Sequence, residues 1–108
     1  MVNLMRKIKT VTNLIKKAEE KGFARINGKY YDGQKMEKYA VTIENGILQL
    51  RHWETVTLEL DIYENRINYY YGESKSDADS INTVLDYFNI KGKASYRPSI
   101  DKFSIIGA

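Results

Sequence analysis

Polar and apolar residues alternate without interruption between Thr55 and Ile62. A period of two is typical of a β-strand with one buried and one solvated face, which favours an antiparallel sheet. After a polar turn the alternation resumes at Ile67, which predicts a second strand and therefore a hairpin. The residues predicted to face inward are Val56, Leu58, Leu60, Ile62, Ile67, Tyr69 and Tyr71. Those predicted to face outward are Thr55, Thr57, Glu59, Asp61 and Tyr70.

A helical pattern follows this hairpin and predicts a helix near residues 77–90. Ser76 is interpreted as its N-cap, with Asp79 as the partner in a capping box. Gly92 is interpreted as its stop signal. The predicted buried stripe comprises Ile81, Val84, Leu85 and Phe88, and the predicted solvated side comprises Asp79, Asn82, Thr83 and Asp86.

The same spacing predicts an N-terminal helix over residues 3–21, closed by Gly22 as a C-cap. Its predicted buried stripe comprises Leu4, Ile8, Val11, Leu14, Ile15 and Ala18. Basic residues gather on the opposite side, namely Arg6, Lys9, Lys16 and Lys17, with Glu20 among them. A solvated helix surface is the favoured interpretation of this basic face, and contact with phosphate or an acidic protein surface is the alternative.

Two Asn-Gly pairs, at residues 27–28 and 45–46, suit type I′ turns and predict further hairpins. The first hairpin is predicted to span residues 23–31. The second leads into a strand over residues 47–53 that places Leu48, Leu50 and His52 on one face. Another turn is expected at Asp32-Gly33.

The C-terminal part of the chain follows the second helix. Residues 93–97 are predicted to form an edge strand that Pro98 ends, because proline cannot donate a hydrogen bond to a sheet. Residues 102–106 are either a last strand or a tail packed on the core. Together the elements predict an α+β fold, mainly an antiparallel meander of about five to six strands packed by the two helices.

Composition is that of a folded globular chain, with 43% hydrophobic and 12% aromatic residues. A length of 108 residues is appropriate for a single domain, residues 1–108. No apolar run approaches the roughly 20 residues of a membrane span, and no secretory signal pattern opens the chain. The absence of cysteine fits a reducing compartment. We therefore expect a soluble protein of the cytoplasm.

Charge is distributed unevenly along the chain. Residues 1–38 contain ten Lys or Arg against four Asp or Glu, residues 39–90 contain three against nine, and residues 91–108 contain four against one. A polarised domain favours oriented docking on a charged partner. The simpler interpretation is that the basic ends neutralise the acidic middle.

Few reactive side chains are available for catalysis. One histidine and no cysteine exclude the usual zinc sites and a thiol nucleophile. No phosphate-binding loop or dinucleotide fingerprint is present. His52 alternates with Leu48 and Leu50, which favours a partly buried strand histidine over a catalytic base. Carboxylates at positions 73, 77 and 79 could hold Mg²⁺, but helix capping accounts for the last two. We therefore predict no catalytic residue, no metal, no cofactor and no enzymatic activity.

Aromatic residues suggest two kinds of binding surface. Trp53 follows Arg51 and His52, and an exposed tryptophan there would anchor a protein interface, whereas a buried one would pack against the first helix. Tyrosines are frequent, at positions 30, 31, 69–71 and 96, and exposed tyrosines on a sheet can stack single-stranded bases. The signature of RNA-recognition strands is missing, so cross-strand packing is favoured for them.

Residues 52–77 carry two short motifs, His-Trp-Glu-Thr and Tyr-Tyr-Gly-Glu-Ser-Lys-Ser-Asp. In this order they resemble a pattern found in small bacteriophage proteins of unknown function, over about the central third of the chain. The resemblance implies a phage or prophage origin. Small phage proteins without enzymatic signatures are often inhibitors of host defence, including anti-CRISPR proteins, that bind a host protein.

Two functional hypotheses follow. The first is a non-catalytic phage protein that occupies the surface of a host defence protein or its nucleoprotein complex. The second is a nucleic-acid-binding module that uses the basic helix and exposed tyrosines. A small nuclease or nucleotide hydrolase is the least favoured alternative. No membrane contact is expected, and the oligomeric state stays open. The predicted interface is either the basic face of the first helix or an acidic face around Asp79 and Asp86. The predicted partner-binding residues are Arg6, Lys9, Lys16, Lys17, Trp53, Tyr70, Asp79 and Asp86.

Overall fold

Two helices and seven strands make up the fold in a computed structural model that describes residues 2–29 and 31–107. Their order along the chain is α1 (Val2–Lys21), β1 (Phe23–Lys29), β2 (Lys35–Glu44), β3 (Ile47–His52), β4 (Thr55–Asp61), β5 (Arg66–Tyr70), α2 (Lys75–Tyr87), β6 (Lys93–Arg97), a 3₁₀ turn (Pro98–Ile100) and β7 (Lys102–Ile106). The predicted α+β class is confirmed. Among the described residues, neither helix is long and apolar enough to cross a membrane.

The first five strands form an antiparallel meander in the order β1-β2-β3-β4-β5, so each strand pairs with its neighbour in sequence. β6 and β7 form a separate antiparallel pair. Residues 102–106 are therefore a strand rather than a packed tail. Pro98 directly follows β6, as the sequence predicts.

Both helices pack against one face of the meander and enclose an apolar cluster. Each fully buried leucine contributes about 1.5–3 kcal/mol of transfer free energy, so this cluster is the main source of stability. The predicted helix stripes supply much of it, but Leu4 and Ile8 are 37% and 42% exposed. Side chains with no exposed surface include Val11, Ile15, Val41, Leu48, Leu50, Leu58, Leu60, Ile81, Val84 and Leu85.

The two Asn-Gly pairs behave differently. Asn45 and Gly46 have φ angles of 52° and 79° and connect β2 to β3, as a type I′ turn requires. The pair at residues 27–28 lies inside β1 instead, and β1 pairs with β2 along its whole length. The predicted hairpin over residues 23–31 is therefore wrong, because the chain reverses at residues 31–33. Tyr30 lies outside the described residues.

Two β-bulges change the predicted alternation. In the pairing of β3 with β4, Leu50 pairs with Leu58 and Arg51 with Val56, so Thr57 is the extra residue of a bulge. Its side chain is 1% exposed, and its hydroxyl donates to the Leu50 carbonyl at 3.4 Å. Val56, predicted to face inward, pairs with Arg51 instead. In the pairing of β4 with β5, Asn68 is likewise the extra residue of a bulge. The inward assignment of Val56 and the outward assignment of Thr57 are thus wrong, since one extra residue reverses the faces that follow it.

The bulge at Asn68 also reverses the tyrosines of β5. Tyr70 pairs with Leu58, and its ring centroid lies 6.1 Å from that of Phe103, so it faces the core side. Tyr69, Tyr70 and Tyr71 are 49%, 41% and 43% exposed. The prediction that Tyr70 alone faces outward is therefore wrong.

The N-terminal cap of α2 is Ser74, two residues before the predicted cap. Its Oγ accepts a hydrogen bond from the backbone N–H of Asp77 at 3.1 Å. Ser76, the predicted cap, lies in the first turn of the helix. α2 ends at Tyr87, before the predicted end near residue 90, and Asn89 then adopts a left-handed conformation with φ of 55°.

One side of α2 was predicted to be solvated, and most of it is covered. Asn82 bonds the backbone of Ala94 in β6 twice, accepting from its N–H at 2.7 Å and donating to its carbonyl at 2.9 Å. Thr83 is only 6% exposed. Asp86 is exposed, as predicted. The prediction failed for Asn82 because β6 packs there, and for Thr83 because this residue lies on the side of α2 where α1 packs.

Candidate functional site

The four basic residues predicted on the first helix lie along one exposed side of α1. This side, the basic stripe, comprises Arg6, Lys9, Lys16 and Lys17. It points away from the buried side chains of Val11 and Ile15. None of the four forms an ion pair with a residue that the structure describes, although Glu20 shares this side. The helix therefore presents four cations directly to solvent.

The two predicted acidic contact residues differ in their charge environment. Asp79 forms ion pairs with Lys7 at 3.1 Å and with Lys75 at 3.8 Å. Asp86 is exposed and forms no ion pair within the described part of the chain. Both aspartates line a groove of about 620 Å³ between α1, α2 and β6, together with Leu4. The predicted acidic face is therefore partly neutralised by α1.

Trp53 lies at the tight turn between β3 and β4, where it adopts a left-handed φ of 49°. Its backbone N–H donates to the Lys38 carbonyl at 2.8 Å. Its ring stacks on His52 with a centroid distance of 5.8 Å and lies close to Gly28 of β1. The Trp53 side chain is half-buried. Tyr70 lies elsewhere, beside Phe103, so the predicted contact residues are spread over several separate surfaces.

His52 occupies the inward face at the end of β3 and is 9% exposed. This confirms the prediction of a buried strand histidine. Its Nδ1 lies 2.7 Å from Oδ1 of Asp77 at the start of α2. The contact joins the sheet to the helix through residues that are 25 positions apart.

Asp77 is held at both carboxylate oxygens. Oδ1 meets His52, and Oδ2 accepts the backbone N–H of Glu73 at 3.0 Å. Burial raises the pKa of Asp77, but the hydrogen bonds of His52 and the Glu73 N–H outweigh it, so the pKa lies below its ordinary value. The carboxylate is ionised at neutral pH and must accept, so Nδ1 of His52 carries a proton. In the neutral ring the lone pair is then on Nε2.

Tyr39 of β2 fixes the imidazole ring from one side. It pairs with His52 across the strands, and the two rings stack at 4.4 Å with an interplanar angle of 6°. Burial, and then the negative charges of Asp77 and Asp79, raise the pKa of Tyr39 to about 12. The phenol is therefore neutral at physiological pH.

His52 and Asp77 line a cavity of about 550 Å³, which we call the dyad pocket. None of the described residues that line it is a lysine or an arginine. The Tyr71 hydroxyl donates to Oε2 of Glu73 at 3.0 Å and so orients that carboxylate. The described residues contain no group of three or more side chains suited to a metal ion. The remaining lining residues are Tyr31, Trp53, Thr55, Thr57, Tyr71, Glu73, Ser74 and Ser76.

The dyad pocket does not follow from the sequence pattern of either buried member taken alone, because His52 and Asp77 lie on different elements. The sequence pattern places His52 on an inward face, whereas Asp77 is interpreted through the start of the helix and as a discounted Mg²⁺ ligand, and not as a partner of His52. A signal was present, since Asp77 lies four residues before the buried Ile81 and therefore shares its side of the helix.

No protein-family model, curated protein or solved structure matches the chain. The likeness to small phage proteins therefore rests on the two short motifs in residues 52–77 alone. The charge and geometry of the described residues, together with this likeness, are the basis for proposing a function.

Proposed function

We propose that the protein is a non-catalytic phage protein that inhibits a host defence system in the bacterial cytoplasm. It does so by occupying the surface of a defence protein or of its nucleoprotein complex. The observation that supports this proposal is the basic stripe, four exposed cations on one side of α1 without ion pairs among the described residues.

The stripe is suited to contact with an acidic surface. Solvent-exposed cations attract an oppositely charged partner over about one Debye length, roughly 8–10 Å in physiological salt, because salt screens the attraction at longer range. Such attraction raises association rates and orients the encounter. Lys7 takes no part, because it is bound to Asp79.

The origin and the class of partner come from the resemblance to small phage proteins. Many such proteins act by binding, and a charged face on a rigid helix is a suitable docking element. The motifs that carry the resemblance lie in residues 52–77 and include none of the four residues of the basic stripe, so the proposed interface and the proposed origin have independent support.

Affinity purification from a bacterial host that carries a defence system tests the proposal. The stripe variant reverses four charges, and a matched control reverses four exposed lysines elsewhere, with the same change in net charge. We expect the wild type and the control to retain a host protein and the stripe variant to lose at least about 90% of it. Equal retention by both variants would contradict the interface. The stripe variant carries Glu at positions 6, 9, 16 and 17, and the control carries Glu at positions 29, 35, 91 and 102.

Nucleic-acid binding is the second candidate, since the same four cations suit phosphate groups. Tyr69 pairs with Glu59 on the sheet face opposite the core, whereas α1 packs on the core face. A single strand would therefore have difficulty in using both the stripe and Tyr69. If four phosphates are contacted, the logarithm of the binding constant falls with the logarithm of salt concentration with a slope of about −3 to −4. Failure to shift oligonucleotides at low salt would exclude this candidate.

A further inference from the structure

In its neutral form His52 offers the dyad pocket a hydrogen-bond acceptor, Nε2, that no described residue uses. Nδ1 of His52 is engaged by Asp77, and Nε2 forms no hydrogen bond with any described residue. In the described part of the chain, every side-chain nitrogen or oxygen sealed from solvent has a partner. Nε2 is therefore open to the pocket, although His52 is only 9% exposed.

This acceptor is held in a fixed orientation. The imidazole stacks with the ring of Tyr39, at a centroid distance of 4.4 Å, and with that of Trp53, at 5.8 Å. Asp77 holds the Nδ1 edge, and the helix start holds Asp77. A ligand that donates to Nε2 would therefore bind without first ordering the ring, which reduces the entropic cost of binding.

The charge of the pocket favours a cation. Among the residues that the structure describes, its lining contains the carboxylates of Glu73 and Asp77 and no lysine or arginine. Lys7 contacts the lining residue Ser76 at 3.2 Å, but its charge is paired with Asp79. Glu73 is exposed, with one oxygen bound by the Tyr71 hydroxyl, so it retains acceptor capacity toward the pocket.

The aromatic lining indicates which kind of cation the pocket favours. Trp53, Tyr71 and Tyr31 contribute rings, and aromatic faces attract cations within about 6 Å. A guanidinium is planar, stacks on such rings and carries several N–H donors in a fixed fork. An ammonium lacks the plane, and a neutral urea lacks the charge.

We propose that the dyad pocket binds a guanidinium group, with one N–H donated to Nε2 of His52 and another to the carboxylate of Glu73. The group comes either from a small guanidinium compound or from an arginine side chain of a partner protein. This site is separate from the basic stripe and does not depend on it.

Nitrogen-15 NMR of the protein reads the site directly, because His52 is the only histidine. The probes are methylguanidine, N-acetylarginine amide, and the lysine and citrulline amides as ammonium and neutral controls. We expect saturable movement of the Nε2 resonance with at least one guanidinium probe, and binding at least about tenfold weaker for both controls. Methylguanidine binding as tightly as the arginine amide indicates a small-molecule source, whereas binding of the arginine amide alone indicates a partner side chain. No movement with either, or equal binding of citrulline, would overturn the proposal.

Matched variants separate this site from the stripe. Glu73→Gln is expected to weaken guanidinium binding by about tenfold, because it removes the exposed charge without touching the core. Glu64→Gln, at an exposed position outside the pocket, should leave the affinity unchanged. The stripe variant should also bind guanidinium as the wild type does. Unchanged affinity in Glu73→Gln would contradict the assignment, whatever the outcome of host-protein capture.

Discussion

Replacing Asp77 with asparagine removes one negative charge from the contact between β3 and α2 while it preserves the shape of the side chain. The two carboxylate oxygens accept from His52 Nδ1 at 2.7 Å and from the Glu73 N–H at 3.0 Å. Asparagine has one oxygen, so its amide group must face one of these two donors. Hydrogen bonds to charged groups contribute about 1.5–3 kcal/mol each, and Asp77 is too buried for water to replace them. We expect Asp77→Asn to lower the free energy of unfolding by about 2–3 kcal/mol.

This loss should depend on pH in a defined direction. Burial raises the pKa of Asp77, but the hydrogen bonds from His52 and the Glu73 N–H bring it below the ordinary value of 3.8. A carboxyl group with a lowered folded-state pKa stabilises the fold above its unfolded pKa, and this contribution disappears as pH falls through the folded pKa. The difference between wild type and Asp77→Asn should be complete at neutral pH and shrink below pH 3.8.

Urea unfolding followed by the fluorescence of Trp53, the only tryptophan, measures both effects. Asp86→Asn is the matched control. Because Asp86 is exposed, this substitution should lower the free energy of unfolding by less than about 0.5 kcal/mol. A cost for Asp77→Asn no larger than that of the control at neutral pH would refute the reasoning. A difference that persists unchanged in acid would refute it as well.

Two further substitutions test the cap and the core. Ser74→Ala should lower the free energy of unfolding by about 1 kcal/mol, because it removes the N-cap of α2, and Ser76→Ala should lower it less. Equal losses for the two variants in urea unfolding would contradict the cap at Ser74. Leu58→Ala should cost about 2–5 kcal/mol because the side chain is fully buried, and Leu4→Ala, at a partly exposed position, should cost under about 1 kcal/mol; a small loss at Leu58 would contradict the core described here.

Local periodicity predicted the elements well because strand and helix periods arise from backbone geometry within one segment. It did not predict the bulges at Thr57 and Asn68, since a bulge depends on how two strands pair. Asn-Gly at residues 27–28 shows the same limit. The pair suits a turn, yet it lies inside β1 because β2 offers a longer pairing partner.

The basic stripe and the dyad pocket differ in how far the sequence reveals them. The stripe lies on one helix, so its four cations could be grouped from their spacing alone. The pocket depends on the meeting of β3 with the start of α2, which tertiary packing decides. Buried polar groups need partners, and this rule was the available route from His52 to Asp77.

Phage plating on a host that carries a defence system proposed as the target tests the central claim most directly. Expression of the wild-type protein, or of the control with charges reversed at positions 29, 35, 91 and 102, should restore plating of a phage that the defence otherwise blocks. The stripe variant should leave the defence intact while it accumulates to the same level. Equal restoration by the stripe variant, or no restoration by the wild type, would contradict the account.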